Sequence, residues 1–242
     1  MKARTRTRTF AAVSAAIALA GGMVVAAQTE AAAAVPGCQG TFATVWGGNG
    51  PDTINTGSSK DVIAGLGGTD TVHGGGNADR ICGDAGDDRL NGGFGDDRIT
   101  GGDGADRIVG EIGLDRIEGN AGDDRLRGYD GDDTLHGDAG ADTLDGGNGV
   151  DFVRNWGNDT LRGGSGKDTL RGSAGSDTID GGPGPDSLNG GPGKDMLRGD
   201  TGNDTIEARD NRKDRVRGHS GFDRCYVDPI DDVSGCEVKV FG

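Results

Sequence analysis

The sequence predicts an all-β fold, a right-handed parallel β-solenoid (β-roll) in which two nine-residue repeats make one coil. A phrase with the pattern Gly-x-x-Gly-x-Asp-x-apolar-x recurs twenty times between residues 47 and 226, and sixteen of the twenty repeats keep both glycines. Position 6 is aspartate in every repeat, and position 8 is Ile, Leu or Val in the first nineteen. Large apolar residues are scarce, since aromatic residues make up only 4% of the chain. A fixed short period is typical of repeat architectures, whose units stack on their neighbours.

Residues 1–34 are typical of a secretory signal peptide. Basic residues at positions 2, 4, 6 and 8 precede an apolar segment over residues 11–27, and an A-x-A-like pattern follows at residues 32–34. We therefore expect cleavage of this leader and an extracellular mature protein. No other apolar stretch approaches membrane-spanning length, so we expect no membrane span after cleavage.

Removal of the leader makes the chain more acidic. The leader holds four of the 25 basic residues and one of the 40 acidic ones, so the net charge changes from −15 to 21 − 39 = −18. This charge repels a phosphate backbone, which excludes nucleic acid as a partner and favours metal cations or basic partners. A chain this acidic and poor in apolar residues stays disordered unless something cancels its charge.

Residues 35–46 are predicted to form an N-terminal cap that ends in a strand at residues 44–46. Four cysteines in a secreted chain indicate disulfides, and three connectivities are possible. The separation of eleven residues favours Cys225–Cys236, which leaves Cys38–Cys82. Both bridges would clamp the ends of the solenoid, where strand edges are exposed.

Residues 47–226 form the predicted solenoid. Positions 7–9 of each repeat make a three-residue strand with the apolar residue inside, and glycines at positions 1 and 4 supply left-handed turn conformations. Ten coils would then stack at ~4.8 Å. Burial of one apolar side chain contributes ~1.5–3 kcal/mol. That is less than the cost of ordering nine residues at ~1–2 kcal/mol each, so we expect bound metal.

Four turns depart from the pattern. The turn over residues 56–61 lacks both glycines at their usual places, and Asn77 replaces the second glycine of its turn. A one-residue deletion before Asp159 predicts a seam at residues 155–159. The turn over residues 209–214 has an insertion, no glycine and three basic residues, so we expect Asp214 not to bind metal. The best sites are expected between residues 83 and 151 and between residues 163 and 204. The remaining residues, 227–242, are predicted to form a C-terminal cap.

Phrases such as those over residues 101–109 and 146–154 match the pattern G-G-x-G-x-D-x-U-x at every position. The chain thus resembles the RTX (hemolysin-type) calcium-binding proteins over residues 47–223, and most closely the short, leader-bearing ones. The resemblance implies that several Ca²⁺ ions lie between stacked turns, held by backbone carbonyls and by the position-6 aspartates. The implied metal ligands are Asp52, Asp61, Asp70, Asp79, Asp88, Asp97, Asp106, Asp115, Asp124, Asp133, Asp142, Asp151, Asp159, Asp168, Asp177, Asp186, Asp195, Asp204 and Asp223.

These observations predict a secreted, monomeric, calcium-binding β-roll whose folding is driven by calcium. We expect no enzymatic activity, because the three histidines lie far apart and no catalytic motif fits. Two alternatives stay open. Six consecutive arginines at position 7 (residues 80–125) would form two outward columns. They either compensate the aspartates or serve a calcium-dependent adhesin that binds a cell-envelope glycan or anionic polymer. Threonines at position 7 in later repeats leave an ice-binding solenoid as the second alternative.

Overall fold

The computed structural model describes residues 37–241, which form twenty-five β-strands. This part of the chain contains no helix, and hence none that could cross a membrane. The predicted leader over residues 1–34 lies outside the described residues.

The strands are numbered in chain order. The first twelve are β1 (Gly37–Cys38), β2 (Thr41–Phe42), β3 (Val45–Trp46), β4 (Thr53–Asn55), β5 (Val62–Gly67), β6 (Thr71–Gly76), β7 (Arg80–Ala85), β8 (Arg89–Phe94), β9 (Arg98–Asp103), β10 (Arg107–Ile112), β11 (Arg116–Ala121) and β12 (Arg125–Asp130). The others are β13 (Thr134–Ala139), β14 (Thr143–Gly149), β15 (Phe152–Trp156), β16 (Thr160–Gly166), β17 (Thr169–Arg171), β18 (Thr178–Pro183), β19 (Ser187–Asn189), β20 (Met196–Thr201), β21 (Thr205–Glu207), β22 (Arg215–Ser220), β23 (Arg224–Val227), β24 (Asp232–Ser234) and β25 (Val238–Phe241).

Successive strands alternate between two parallel sheets, which confirms the predicted solenoid with two repeats per coil. Odd-numbered strands from β3 to β25 form a 12-stranded sheet, and even-numbered strands from β4 to β24 form an 11-stranded sheet. Each residue generally pairs with the residue eighteen positions on, as Ile108 does with Leu126. Strands β1 and β2 pair antiparallel and form a separate hairpin.

The interior between the two sheets is one column of apolar side chains. The position-8 residues from Ile54 to Val216, together with Cys225, all belong to a single buried cluster. Each half-coil contributes one of these residues, so the column is continuous but narrow. The predicted core is confirmed.

Most strands are longer than predicted. Strand β8, for example, covers positions 7–9 of one repeat and positions 1–3 of the next, instead of positions 7–9 alone. The pairing with the neighbouring coil skips position 1 and resumes at position 2, as between Gly93 and Glu111. The turn is therefore reduced to positions 4–6, which places the position-6 aspartate directly before a strand.

The two glycines of the repeat pattern, at positions 1 and 4, have different roles. At position 4, Gly86 has the predicted left-handed φ of 131°, and an added Cβ would overlap the Gly68 carbonyl oxygen. The prediction for position 1 is wrong, because Gly83 does not have a positive φ. Glycine is required there because an added Cβ would overlap the carboxylate of Asp88. The second left-handed residue lies at position 2, where non-glycine residues such as Asp84 (φ 72°) occur.

The deletion at residues 155–159 is absorbed by a local shift of register. Strands β13 and β15 pair His136 with Arg154 but Ala139 with Trp156, so the separation falls from eighteen to seventeen residues. Pairing at eighteen residues resumes when Thr160 meets Thr178. Both sheets therefore run through the predicted seam without a break.

Both predicted disulfides are present, one at each end. Cys38–Cys82 attaches the β1–β2 hairpin to strand β7, and Cys225–Cys236 attaches the tail to strand β23. The tail abandons the repeat in sequence, yet β24 pairs with β22 and β25 pairs with β23, both in parallel. The tail thus adds a final strand to each sheet.

Candidate metal centre

The position-6 aspartates form two ladders, one along each row of turns. The first ladder precedes the strands of the 11-stranded sheet and contains Asp52, Asp70, Asp88, Asp106, Asp124, Asp142, Asp159, Asp177, Asp195 and Asp214. The second ladder precedes the strands of the 12-stranded sheet and contains Asp61, Asp79, Asp97, Asp115, Asp133, Asp151, Asp168, Asp186, Asp204 and Asp223.

Every step of a ladder is made by the same hydrogen bond. The main-chain N–H of one aspartate donates to Oδ1 of the aspartate one coil further on, as Asp88 does to Asp106 at 2.8 Å. The carbonyl oxygen of Asp88 accepts from the main-chain N–H of Arg107, also at 2.8 Å. The backbone of each turn therefore fixes the orientation of the carboxylate above it. The ladders turn the carboxylates inward, and from Asp70 to Asp223 every member is at most 3% exposed.

The second carboxylate oxygen, Oδ2, has no hydrogen-bond partner in most of these aspartates. Within the described residues this holds for Asp70, Asp79, Asp88, Asp97, Asp106, Asp115, Asp124, Asp133, Asp151, Asp159, Asp168, Asp177, Asp186, Asp195, Asp204, Asp214 and Asp223. A buried carboxylate oxygen without a donor is strongly unfavourable, because it has lost its water and gained nothing in return. So many equivalent atoms indicate that the partner is a species bound from solution.

The surroundings of Oδ2 fit a hard cation. The Oδ2 atom of Asp88 and the carbonyl oxygen of Gly101 both lie beside Gly83, within 3 Å of the place that a Cβ atom on this glycine would take. Two oxygen acceptors face each other there. Calcium takes six to eight oxygen ligands in flexible geometry and readily uses carboxylates and backbone carbonyls. The ladder carboxylates, together with backbone carbonyls such as that of Gly101, are therefore the groups that would hold Ca²⁺ when it binds.

Burial raises the pKa of most ladder carboxyls between Asp70 and Asp214 above the ordinary value of 3.8, because desolvation disfavours the charged form. Hydrogen bonds from the preceding coil oppose this shift, and neighbouring carboxylates of the ladders add to it. The pKa rises to about 7 for Asp106, Asp115, Asp124, Asp151, Asp177, Asp186 and Asp214. It rises to about 6 for Asp79, Asp88, Asp97, Asp133, Asp159, Asp195 and Asp204. Without a cation, the folded ladders hold protons unusually tightly.

The structure separates three aspartates from the uniform set. Asp52 and Asp61 at the open N-terminal end are partly exposed, and Oδ2 of Asp52 accepts from the Gly48 N–H at 2.6 Å. Oδ2 of Asp142 accepts from the side-chain amide of Asn155 at 2.7 Å. Asp214, which we expected not to bind metal, lies in its ladder like the others, with Oδ2 unpartnered.

Two ladder members in the tail were missed by the repeat pattern. The Asp214 N–H donates to Oδ1 of Asp231 at 2.9 Å, and the Asp223 N–H donates to Oε2 of Glu237 at 2.7 Å. These carboxylates lie 17 and 14 residues on, instead of eighteen. The signal available in the sequence was only a pair of acidic residues after the last repeat, with no fixed spacing to identify them.

Carboxylates at position 5 form a separate outer row. The side chains of Asp87, Asp96, Asp123 and Asp132 each accept from a main-chain N–H one coil on, at 2.9–3.1 Å. These aspartates lie at the exposed surface of the turns. Their hydrogen bonds support the stacking of the turns and do not involve the buried Oδ2 atoms.

The position-7 arginines form two columns, as predicted. Arg80, Arg98 and Arg116 stack on the 12-stranded sheet, and Arg89, Arg107 and Arg125 stack on the 11-stranded sheet. Among the described residues, Arg116 pairs with Glu118, and no carboxylate lies within 4.0 Å of the other five. The arginines point outward while the ladders point inward, so direct charge compensation between them is not observed.

Comparison with known proteins agrees with this geometry. A family model described as the RTX calcium-binding nonapeptide repeat matches residues 46–81, 83–117, 118–153, 155–188, 172–206 and 189–224. No similar protein was found among those with curated descriptions. The matched segments cover most of the chain, and repeats of this kind form calcium-binding parallel β-rolls. The chain therefore belongs to the family of RTX calcium-binding nonapeptide repeat proteins.

Proposed function

We propose that this chain is a secreted protein that folds on binding calcium. The observation that carries the proposal is the set of buried Oδ2 atoms without partners, spread over the whole length of both ladders. The mature chain has a net charge of −18 and buries only one apolar side chain per repeat. Without calcium, this burial is too small to stabilise a fold that keeps these carboxylates inside. Calcium binds the folded form alone, so its binding free energy becomes folding free energy.

The test is circular dichroism of residues 35–242 in calcium-stripped buffer and in millimolar Ca²⁺. The expected result is a disordered spectrum without calcium and a β-rich spectrum with it. Magnesium at the same concentration serves as the control and should be much less effective, because it prefers a rigid octahedral site that keeps several waters. An identical β-rich spectrum in the absence of calcium would overturn the proposal.

Secretion is part of the same proposal. The leader pattern over residues 1–34 and the two disulfides both fit an oxidising compartment outside the cytoplasm. Calcium is plentiful there, so folding would follow export. Intact-mass measurement of protein recovered from the culture medium should give the chain without its leader and four hydrogens lighter. A full-length reduced chain retained in the cells would contradict this part.

We further propose a structural role without enzymatic activity.

A second candidate is calcium-dependent binding of an anionic polymer. Five of the six column arginines have no carboxylate within 4.0 Å among the described residues, although the chain is acidic overall. On the 12-stranded sheet, Arg80, Arg98 and Arg116 line a cleft of about 430 Å³ with Gln39 of the hairpin and Glu118. The Gln39 amide donates to Thr100 Oγ1 at 2.6 Å, which holds the hairpin over this face.

The ice-binding alternative has less support, because the register aligns at most three position-7 threonines in succession, Thr143, Thr160 and Thr178.

The two arginine columns provide a matched experiment for this candidate. One variant replaces Arg80, Arg98 and Arg116 with glutamine, and the control replaces Arg89, Arg107 and Arg125. Both lose the same charge, but only the first alters the cleft. With fluorescent polyphosphate as the probe, we expect the first variant to lose most binding in millimolar Ca²⁺ and the control to retain it. Equal losses would indicate nonspecific charge attraction and contradict the cleft.

A further inference from the structure

We propose that Asn155 closes the Asp142 position to calcium and so divides the first ladder into two blocks. The inference deepens the proposed function and rests on it. Asp142 has a buried carboxylate like its neighbours, yet its Oδ2 atom is supplied with a donor by the protein itself.

The one-residue deletion brings Asn155 to this place. The register shift between strands β13 and β15 places Asn155 next to Gly137 in the neighbouring coil. Every other coil of the first ladder from Asp70 to Asp195 has a glycine at the position of Asn155. The Asn155 side chain is 1% exposed. A normal nine-residue phrase has no room for it, because a side chain at position 1 would overlap a ladder carboxylate.

The asparagine occupies the space in which two oxygens elsewhere converge. Near Gly83, those oxygens are Oδ2 of Asp88 and the carbonyl oxygen of Gly101. Near Gly137, the corresponding atoms are Oδ2 of Asp142 and Oδ1 of Asn155. The Asn155 amide nitrogen also donates to Oδ2 of Asp142 at 2.7 Å. The deletion thus brings a side chain that carries a donor within hydrogen-bond distance of this carboxylate.

Because of this donor, Oδ2 of Asp142 does not need a bound ion as its partner. At the other buried ladder positions, the partner of Oδ2 has to come from solution. At Asp142 the amide already satisfies that oxygen, and the same amide fills the space beside it. The first ladder is therefore interrupted at Asp142, although the main-chain hydrogen bond that links Asp142 to Asp159 persists at 3.0 Å.

The second ladder provides the internal comparison at the same level of the solenoid. It passes from Asp133 through Asp151 to Asp168 with hydrogen bonds of 2.8 Å, and all three Oδ2 atoms lack partners. Interruption is therefore confined to one side of the coil. One row of ion positions is continuous, and the other is interrupted at Asp142, beside Asn155.

A competing interpretation makes Asn155 a ligand. Its Oδ1 atom is buried without a hydrogen-bond partner, and an amide oxygen is a normal calcium ligand. The two interpretations predict opposite changes when the side chain is removed. If the amide takes the place of an ion, Asn155→Gly leaves Asp142 without a partner and adds one Ca²⁺. If Asn155 is a ligand, the same variant loses one.

The experiment counts bound Ca²⁺ in the mature protein by native mass spectrometry, with calcium titration calorimetry as a second measurement. Asp142→Asn should leave the ion count unchanged, whereas Asp151→Asn on the second ladder should lower it by one. Asn155→Gly should raise the count by one and serves as the independent test if Asp142→Asn fails to fold.

The inference is overturned if Asp142→Asn loses as many ions as Asp151→Asn, or if Asn155→Gly loses an ion. Failure of the proposed function looks different, because then the wild-type protein itself binds no calcium. A wild-type protein that binds calcium while Asp142→Asn also loses an ion would reject this inference alone.

Discussion

Asp115 and Ile117, two residues apart in one coil, show the two uses that this fold makes of its interior. Their exposures are 2% and 0%. Ile117 packs in the apolar column, whose contribution is the same with or without ions. Asp115 keeps one carboxylate oxygen unpartnered, so it opposes folding until a cation binds. The apolar column therefore determines how the coils stack, and the ladders make that stacking depend on a bound cation.

The largest expected effect is that of calcium removal on the column itself. Because the column is too thin to hold the coils alone, chelation should abolish amide hydrogen-exchange protection at Ile117 as completely as at Asp115. The measurement is hydrogen exchange with mass spectrometry in excess chelator and in millimolar Ca²⁺. Loss of protection in the turns with persistent protection of the strands would show that the column is independent of the ladders.

A change of pH should act on the calcium-free chain next most strongly. Folded ladder carboxyls such as Asp115 have a pKa of about 7, against an ordinary value of 3.8. The folded form therefore binds protons more tightly than the unfolded form. The stabilisation that these protonated carboxyls give the folded form is fully present below pH 3.8 and is lost as the pH rises through about 7. In calcium-stripped buffer we expect β structure to increase from pH 7.5 to pH 4, measured by circular dichroism.

The calcium-loaded protein should respond to pH in the opposite direction. Protons compete with the ion for the same carboxylates, so calcium affinity should fall as the pH drops below about 7. Calorimetric titrations at pH 7.5 and pH 6 measure this. An affinity that is constant over this range would mean that the ladder carboxyls do not hold the ion.

The substitution Ile117→Ala should destabilise the calcium-loaded protein by about 2–5 kcal/mol, because it removes buried methyl groups and leaves a cavity. Denaturant unfolding in millimolar Ca²⁺ measures the change. The ion count should stay that of the wild type, since no ladder atom is altered. Leu114→Ala is the control: its side chain is 57% exposed, so the expected change is within about 0.5 kcal/mol. A comparable loss in both variants would contradict the assignment of the column.

The smallest effect, and the one most specific to the ladder, is expected for Asp115→Asn. This variant should bind one Ca²⁺ fewer and be less stable in calcium. In calcium-stripped buffer it should be slightly more structured than the wild type, because one buried negative charge has been removed. Asp103→Asn, at the exposed end of strand β9, is the control and should change neither quantity. Destabilisation of Asp115→Asn in both buffers would indicate a purely structural carboxylate.

Much of this molecule could be predicted because its contacts repeat with its sequence. The period placed the apolar column from Ile54 to Val216, the parallel pairing and the two ladders, since one position of the phrase always meets the same position one coil on. The reason for glycine at position 1 could not be predicted. It depends on the approach of Asp88 to Gly83 across a turn, which appears only when the turn is closed.

The sequence by itself therefore determined the coil, the core and the row of aspartates, because these follow from a nine-residue period and the alternation of a strand. Only the tertiary structure decided which carboxylate oxygens lack partners, and that Asp231 and Glu237 continue the ladders beyond the repeats. It also decided that Asn155 meets Asp142. The physical reason is distance along the chain. These contacts join residues 13 to 17 positions apart, where a deletion or a tail has changed the spacing and no period records the pairing.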